Sequence, residues 1–146
     1  MGMPMSNPMK RVYVLFVGMS LPAFGNEDRK LRQALLAEDK CWALVTVPGI
    51  TVQEAAIRAS TSANLDIVFI SNQVEYSIYS LAEGCKELAE KLAKRSSPPW
   101  VCFDKRWLYS LAASFRTNGL TICEGRLEEI IRRRWEHQRR KVHHVG

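Results

Sequence analysis

Short apolar runs rich in β-branched residues alternate with helical segments along the chain, and this alternation constrains the fold more than any other feature. Five runs are typical of strands, and they span residues 11–18, 42–47, 65–70, 100–103 and 120–123. Continuous apolar runs suit strands that are buried on both faces of a parallel sheet. A helical segment follows each run after a short connection. We therefore predict an α/β domain with a five-stranded, doubly wound parallel sheet and helices on both faces.

Helix signals separate the first strands. Asn26 is placed to cap a first helix that we predict to end near Asp39, after a loop that contains Pro22. Thr51 followed by Glu54 is a capping-box pattern at the start of a second helix. Residues 77–95 carry apolar side chains at i, i+3, i+4 and i+7, which predicts an amphipathic helix packed on the sheet.

Similar signals mark the second half of the chain. Asp104 is placed to cap a fourth helix, and Asn118-Gly119 is a typical helix stop. A last helix begins near Arg126. The sequence thus predicts one domain over residues 11–141, with a flexible lead over residues 1–10 and a flexible tail over residues 142–146.

Composition excludes several classes of protein. The 146 residues are 47% hydrophobic and 25% charged, as in an ordinary globular domain. No apolar run approaches the roughly 20 residues of a membrane-spanning helix, and the first ten residues lack a signal-peptide core, so we predict a cytoplasmic protein. The spacing of the cysteines fits neither a metal site nor a disulfide framework. We expect no metal or other cofactor and free thiols in the core, at Cys41, Cys85, Cys102 and Cys123.

The net charge of +6 is concentrated at the C-terminal end, where residues 126–146 hold seven Lys or Arg and three Glu. A cationic helix end can bind nucleic-acid phosphates or an acidic partner. The candidate residues are Arg132, Arg133, Arg139, Arg140 and Lys141. The alternative is a solvated helix stabilised by ion pairs four residues apart, namely Glu128–Arg132, Glu129–Arg133 and Glu136–Arg140.

The run Leu65–Ser71 resembles the third strand of response-regulator receiver domains, and five β-α units in this length resemble the flavodoxin-like sheet order 2-1-3-4-5. The resemblance covers residues 11–140. The family places an acidic pair after strand one, a phosphate-accepting Asp after strand three, a hydroxyl after strand four and a Lys after strand five. This chain has Gly18-Met19, Ser71, Asp104 and Cys123-Glu124-Gly125 there. The resemblance therefore implies a pseudo-receiver that lacks the phosphorylation residues and serves for binding.

Ligands of open α/β sheets bind beyond the carboxyl ends of the strands. The candidate ligand-binding residues at this rim are Gly18, Met19, Ser20, Ser71, Asn72, Asp104 and Lys105. Residues 18–25 lack both G-x-G-x-x-G and the Walker lysine, which argues against a dinucleotide or P-loop site. The three histidines, His137, His143 and His144, lie far along the chain from the rim, so the commonest general base is missing there. We predict no catalytic residue.

These observations leave three hypotheses. The leading one is a non-catalytic, receiver-like regulatory module that acts by protein–protein contact, as a homodimer or with a larger partner. Its contact surface would be formed by Trp107, Tyr109 and Arg116, because aromatic residues and Arg are typical anchors of interfaces. The second is a nucleic-acid-associated protein that uses the Arg-rich helix. The third is a small-nucleotide sensor or nucleotide-processing enzyme with its pocket at the rim.

Overall fold

The computed structural model describes residues 9–74 and 77–144, with side chains through residue 140. Its strands form one parallel five-stranded sheet in the order β2-β1-β3-β4-β5. They are β1 Lys10–Val17, β2 Trp42–Gly49, β3 Ile67–Ile70, β4 Trp100–Phe103 and β5 Ile122–Cys123. This confirms the predicted α/β class and the flavodoxin-like order 2-1-3-4-5.

Five α-helices cover the two faces of the sheet. They are α1 Leu21–Glu38, α2 Val52–Thr61, α3 Ile78–Ala93, α4 Ala112–Thr117 and α5 Leu127–His144, with a 3-10 helix over Arg106–Leu111 that leads into α4. Within the described residues, no helix has both the length and the apolar character needed to cross a membrane. The last helix continues three residues past the predicted domain end at residue 141. Residues 1–8 and 145–146 of the predicted flexible ends lie outside the described residues.

The first helix begins at Leu21, six residues before the start that a cap at Asn26 predicts. Ser20 is the cap, and its Oγ accepts a hydrogen bond from the N–H of Ala23 at 3.4 Å. Pro22 fits the first turn because its missing N–H would have no helical partner there. The ring of Phe24 packs edge-on against Phe16 at 5.4 Å, which holds the added turn on the sheet.

The second helix begins as its capping box predicts. Thr51 Oγ1 accepts from the N–H of Glu54 at 3.0 Å, and Glu54 Oε2 accepts from the N–H of Ile50 at 3.1 Å. The prediction for Asp104 was wrong, because this residue does not cap a helix. The 3-10 helix starts after Lys105, without a capping bond from a side chain.

The sheet separates two layers of buried side chains. One layer lies under α2, α3 and α4, and it includes Leu15, Leu88 and Phe115. The other lies under α1 and α5, and it includes Phe16 and Leu35. Successive residues of β1 alternate between the two layers, as the pleat of a strand requires. Cys85, Cys102 and Cys123 are buried, Cys41 is half-buried, and all four are free thiols.

Candidate functional site

The predicted rim exists as a line of residues at the carboxyl ends of β1, β3 and β4. Val17 is in register with Ile70, and Ile70 with Phe103, so the residues that follow these strands are neighbours. The N–H of Ser71 donates to the carbonyl of Val17 at 2.8 Å, and the N–H of Asp104 donates to the carbonyl of Ile70 at 2.8 Å. The parallel pairing therefore continues one residue beyond β3 and β4.

The groups along this line bond to one another. Ser71 is buried, and its hydroxyl donates to Asp104 Oδ2 at 3.2 Å. Gly18 has a φ of +78°, and a Cβ placed on it would lie 2.1 Å from the carbonyl oxygen of Ser71. The strand order reverses between β1 and β3, where flavodoxin-like folds form their ligand crevice. In this chain the protein's own backbone fills the base of that crevice.

The remaining rim residues are distributed between core and solvent. Met19 is buried in the layer under α1 and α5, and Ser20 caps α1. Asn72 and Asp104 are half-buried, and Lys105 is exposed. These residues lie within two positions of Gly18, Ser71 or Asp104 in the chain, so the predicted rim residues lie along one edge of the sheet.

An open groove of about 630 Å³ lies beside the rim, between the 3-10 helix and the turn that follows β5. Its walls are formed by Arg106, Trp107, Tyr109, Glu124 and Gly125. The Trp107 side chain is 54% exposed, which is unusual for so large an apolar group. Arg106 and Glu124 add a charge of each sign to the walls.

The 3-10 helix explains why Trp107 points outward. Side chains three residues apart are eclipsed in a 3-10 helix. Leu108 and Leu111 are both buried, so Trp107 and Ser110 share the exposed side. The helix therefore anchors its leucines in the core and presents the indole to solvent.

Tyr109 forms the inner wall of the groove. Its ring contacts that of Phe103 at 5.2 Å between centroids, in an edge-to-face arrangement. Burial raises the pKa of the Tyr109 phenol, and the Glu124 carboxylate raises it further. The neutral phenol is thus the form present at the groove near neutral pH. Arg116, the third predicted contact residue, is exposed on α4 and does not line the groove.

Most of the predicted cationic side chains of α5 bond to groups of the chain itself. Arg132 forms an ion pair with Glu38 of α1 at 2.8 Å, instead of the predicted pair with Glu128. Arg133 donates to the carbonyl of Glu124 at 3.0 Å, and Arg139 pairs with Glu136 at 3.1 Å. Arg140 is exposed, and the side chain of Lys141 lies outside the described side chains.

A second cleft, of about 410 Å³, runs along the same helix. Its lining combines aromatic rings with cations and consists of Trp100, Arg132, Arg133, Glu136, His137 and Arg140. The rings of Trp100 and His137 lie 5.3 Å apart, and the guanidinium of Arg134 lies 5.3 Å from the Trp100 ring. Cations and aromatic faces together are the groups that contact single-stranded nucleic acids.

Sequence reasoning missed a buried polar cluster at the opposite end of the sheet. Asp66 is 8% exposed and accepts bonds from the N–H of Tyr13 at 2.8 Å and from the side-chain amide of Gln138. Arg134 is 4% exposed and donates to the carbonyl of Pro98 at 3.3 Å. Burial lowers the pKa of the Arg134 guanidinium, and the charge of Asp66 opposes that shift.

Two sequence signals mark this cluster. Asp66 stands within the apolar run of the third strand, and Arg134 follows Ile130 by four residues, on the apolar stripe of α5. A charged residue on an apolar stripe indicates a buried partner. The cluster borders a polar cleft of about 290 Å³ that also includes Arg11 and Arg95. Arg95 donates to three carbonyls at the end of α2, of Ala59, Ser62 and Ala63.

Among residues 9–74 and 77–144, no group of three or more His, Cys, Asp or Glu side chains is arranged to hold a metal ion. No protein-family model matches the chain. Comparison with curated proteins finds no significant relative.

Proposed function

We propose that this chain is a non-catalytic, receiver-like binding module that acts through protein–protein contact at the groove around Trp107. The exposure of Trp107 at the wall of an open groove carries the proposal. Trp, Tyr and Arg are the residues most enriched at the energetic centres of interfaces. Three of the five groove residues belong to these types.

The chemistry of the groove indicates the kind of segment that it binds. Trp107 and Tyr109 offer apolar ring surface, and Arg106 and Glu124 offer one charge of each sign. A protein segment with an apolar side chain between charged neighbours matches this lining. At the rim, by contrast, Ser71 and Asp104 are bonded to each other and Gly18 packs on the Ser71 carbonyl, which favours the groove as the contact site.

The test identifies the partner at the groove itself. A photo-cross-linking amino acid replaces Ser110, which is exposed on the same side of the 3-10 helix as Trp107, in one form of the chain. It replaces Tyr79, an exposed aromatic residue of α3, in another. A protein cross-linked at position 110 and not at position 79 is purified, and its affinity for the full chain is measured by calorimetry.

We expect Trp107→Ala to weaken this complex by about 2 kcal/mol, roughly 30-fold, as for an interface hot spot. Tyr79→Ala is the matched control, because its aromatic ring is 82% exposed outside the groove. Equal losses in the two variants, or none in either, would contradict the proposal.

Nucleic-acid binding is the second candidate, and the cleft beside α5 is the observation that favours it. Trp100 and His137 provide aromatic faces there, next to Arg133 and Arg140. Contact with phosphates would require Arg133 to exchange its bond to the Glu124 carbonyl for a bond to the ligand. Arg133 and Arg140 are both exposed cations of the cleft.

A further inference from the structure

Strand β2 forms one edge of the sheet and is its least protected part. It pairs with β1 over eight residues, from Lys10 with Trp42 to Val17 with Gly49. In the part of the chain that the structure describes, no strand pairs with its other side. The opposite edge is β5, which is only two residues long. The chain therefore offers one long open strand.

The hydrogen-bond pattern identifies the groups that point outward. Lys10 donates to the carbonyl of Cys41 at 2.7 Å, and Gly18 donates to the carbonyl of Gly49 at 2.9 Å, so odd-numbered residues of β2 face β1. Alternate residues of a strand direct their N–H and C=O groups to opposite sides. Even-numbered residues of β2 therefore present their backbone groups to the outside. These are Trp42, Leu44, Thr46 and Pro48, of which only Pro48 lacks an N–H.

The side chains of this edge do not block a second strand. Natural edge strands are commonly protected by charged side chains, bulges or proline. Trp42–Gly49 contains no charged residue, and its proline is next to last. Val45 of β2 is 39% exposed, and Leu36 of the flanking α1 is 41% exposed. The edge is thus both open and apolar.

Ion pairs lie on both flanks of β2, although the whole chain has a net charge of +6. Asp28 and Arg32 of α1 pair at 3.0 Å, and both side chains bond to Thr46 Oγ1. On the other face of the sheet, Glu54 and Arg58 of α2 pair at 3.8 Å. A second copy of the chain would meet both signs of charge on each flank, so this surface is electrostatically compatible with itself.

We infer that β2 pairs antiparallel with β2 of a second copy, which joins the two sheets into one continuous sheet. A two-fold axis at Leu44 sets Leu44 opposite its own copy and Trp42 opposite Thr46. Each outward N–H of these residues then meets an outward carbonyl, and the two Pro48 residues remain outside the ladder. An axis at Val45 would set Pro48 opposite Trp42, whose carbonyl would then face a residue without an N–H. The proline therefore selects the register at Leu44.

The first test is the oligomeric state of the full chain in a sedimentation experiment over a concentration series. We expect wild type to form a particle of twice the chain mass of 16.7 kDa. Val45→Lys puts a charge at the open edge and should raise the dimer dissociation constant at least about tenfold. Ile78→Lys is the matched control, because Ile78 is 44% exposed on α3, which does not flank β2, and it should leave the dimer intact. A monomeric wild type, or equal effects of the two variants, would overturn the inference.

The second test locates the interface at single amides. Hydrogen exchange at Trp42, Leu44 and Thr46 should slow as the dimer forms, whereas exchange at Val45, whose N–H faces β1, should change little. Unchanged exchange at the three outward amides in a dimeric sample would place the contact elsewhere and overturn the inference. Trp107 is not on this edge, so Trp107→Ala should leave the dimer unchanged. A negative result for the β2 dimer therefore leaves the proposed contact at the Trp107 groove untouched, and the reverse also holds.

Discussion

Arg134 Nε lies 4.0 Å from Asp66 Oδ1, and this buried pair joins the last helix to the residue that precedes β3. The other Asp66 oxygen accepts the N–H of Tyr13, so β1 is part of the same cluster. Charged groups are rarely so buried unless they are paired. Together with the Gln138–Asp66 hydrogen bond, the pair links α5 to the sheet.

Removal of one member of the Asp66–Arg134 pair should therefore lower the stability of the fold. We expect Arg134→Met to lower the free energy of unfolding by about 3 kcal/mol, because Asp66 would keep a buried charge without its cation. Arg139→Met, on the exposed side of the same helix, should cost under about 0.5 kcal/mol. Urea unfolding of both variants measures the difference. Equal losses would show that the buried pair contributes no more than a surface one.

Gly18 and Gly119 allow a matched test of the crowded rim. Both have positive φ, +78° and +79°. A Cβ at Gly119 would meet no atom within 4 Å, whereas at Gly18 it would strike the carbonyl of Ser71. Gly119→Ala should cost about 1 kcal/mol for its backbone conformation alone. Gly18→Ala should cost at least about 2 kcal/mol more in unfolding free energy. Similar melting temperatures for the two variants would show that β1 and β3 are less crowded than described.

The buried thiol of Cys85 predicts a loss of stability in alkali. Burial raises the pKa of Cys85 from 9.0 to about 12. Between these values the unfolded chain releases this proton and the folded chain keeps it, so stability falls as pH rises. Each pH unit in this window should cost up to about 1.4 kcal/mol.

Two variants separate the effect of thiol titration on stability from the effect of side-chain packing. Cys85→Ala should make the fall of unfolding free energy above pH 9 shallower, because the titrating group is gone. Leu81→Val, at a buried neighbour in α3, should lower stability at every pH without changing the slope. An unchanged slope in Cys85→Ala would contradict the assignment to this thiol.

Nucleic-acid binding at the cleft beside α5 is tested by charge-matched pairs of substitutions. Arg133→Gln with Arg140→Gln removes two cleft cations, and Arg29→Gln with Lys30→Gln removes two exposed cations from α1. If the cleft binds single-stranded DNA, the first pair should reduce the slope of log affinity against log salt by about 1.4. The second pair should leave that slope unchanged. Failure of wild type to bind at low salt, or equal losses from the two pairs, would eliminate this candidate.

The strands were predictable because each contains an apolar run, and in β1 and β3 these runs supply buried residues to both layers of the core. The start of α1 could not be predicted in this way. Asn26 and Ser20 are both good caps, and Pro22 and Gly25 resemble loop residues. The contact of Phe24 with Phe16 favours the earlier start, and local sequence does not contain that contact.

The candidate sites, like the start of α1, depend on tertiary contacts that local sequence does not contain. Asp104 has the chemistry of a cap, yet its carboxylate accepts from Ser71, which follows another strand. Trp107 and Tyr109 could be chosen as candidate contact residues by their type, but their position beside Glu124 depends on how the turn after β5 packs. Asp66 and Arg134 carried a signal, a charge on an apolar stripe, but neither residue reveals its partner without the fold.

The sheet that divides the core has a consequence for how mutations combine. Leu35 and Leu88 are both buried, but they belong to opposite layers and share no cluster. Free-energy changes at sites without shared contacts generally add, whereas neighbours in one layer couple. Each layer can therefore accumulate substitutions almost independently of the other, and the α1–α5 side of this protein is free to diverge while the α2–α3–α4 side is held constant.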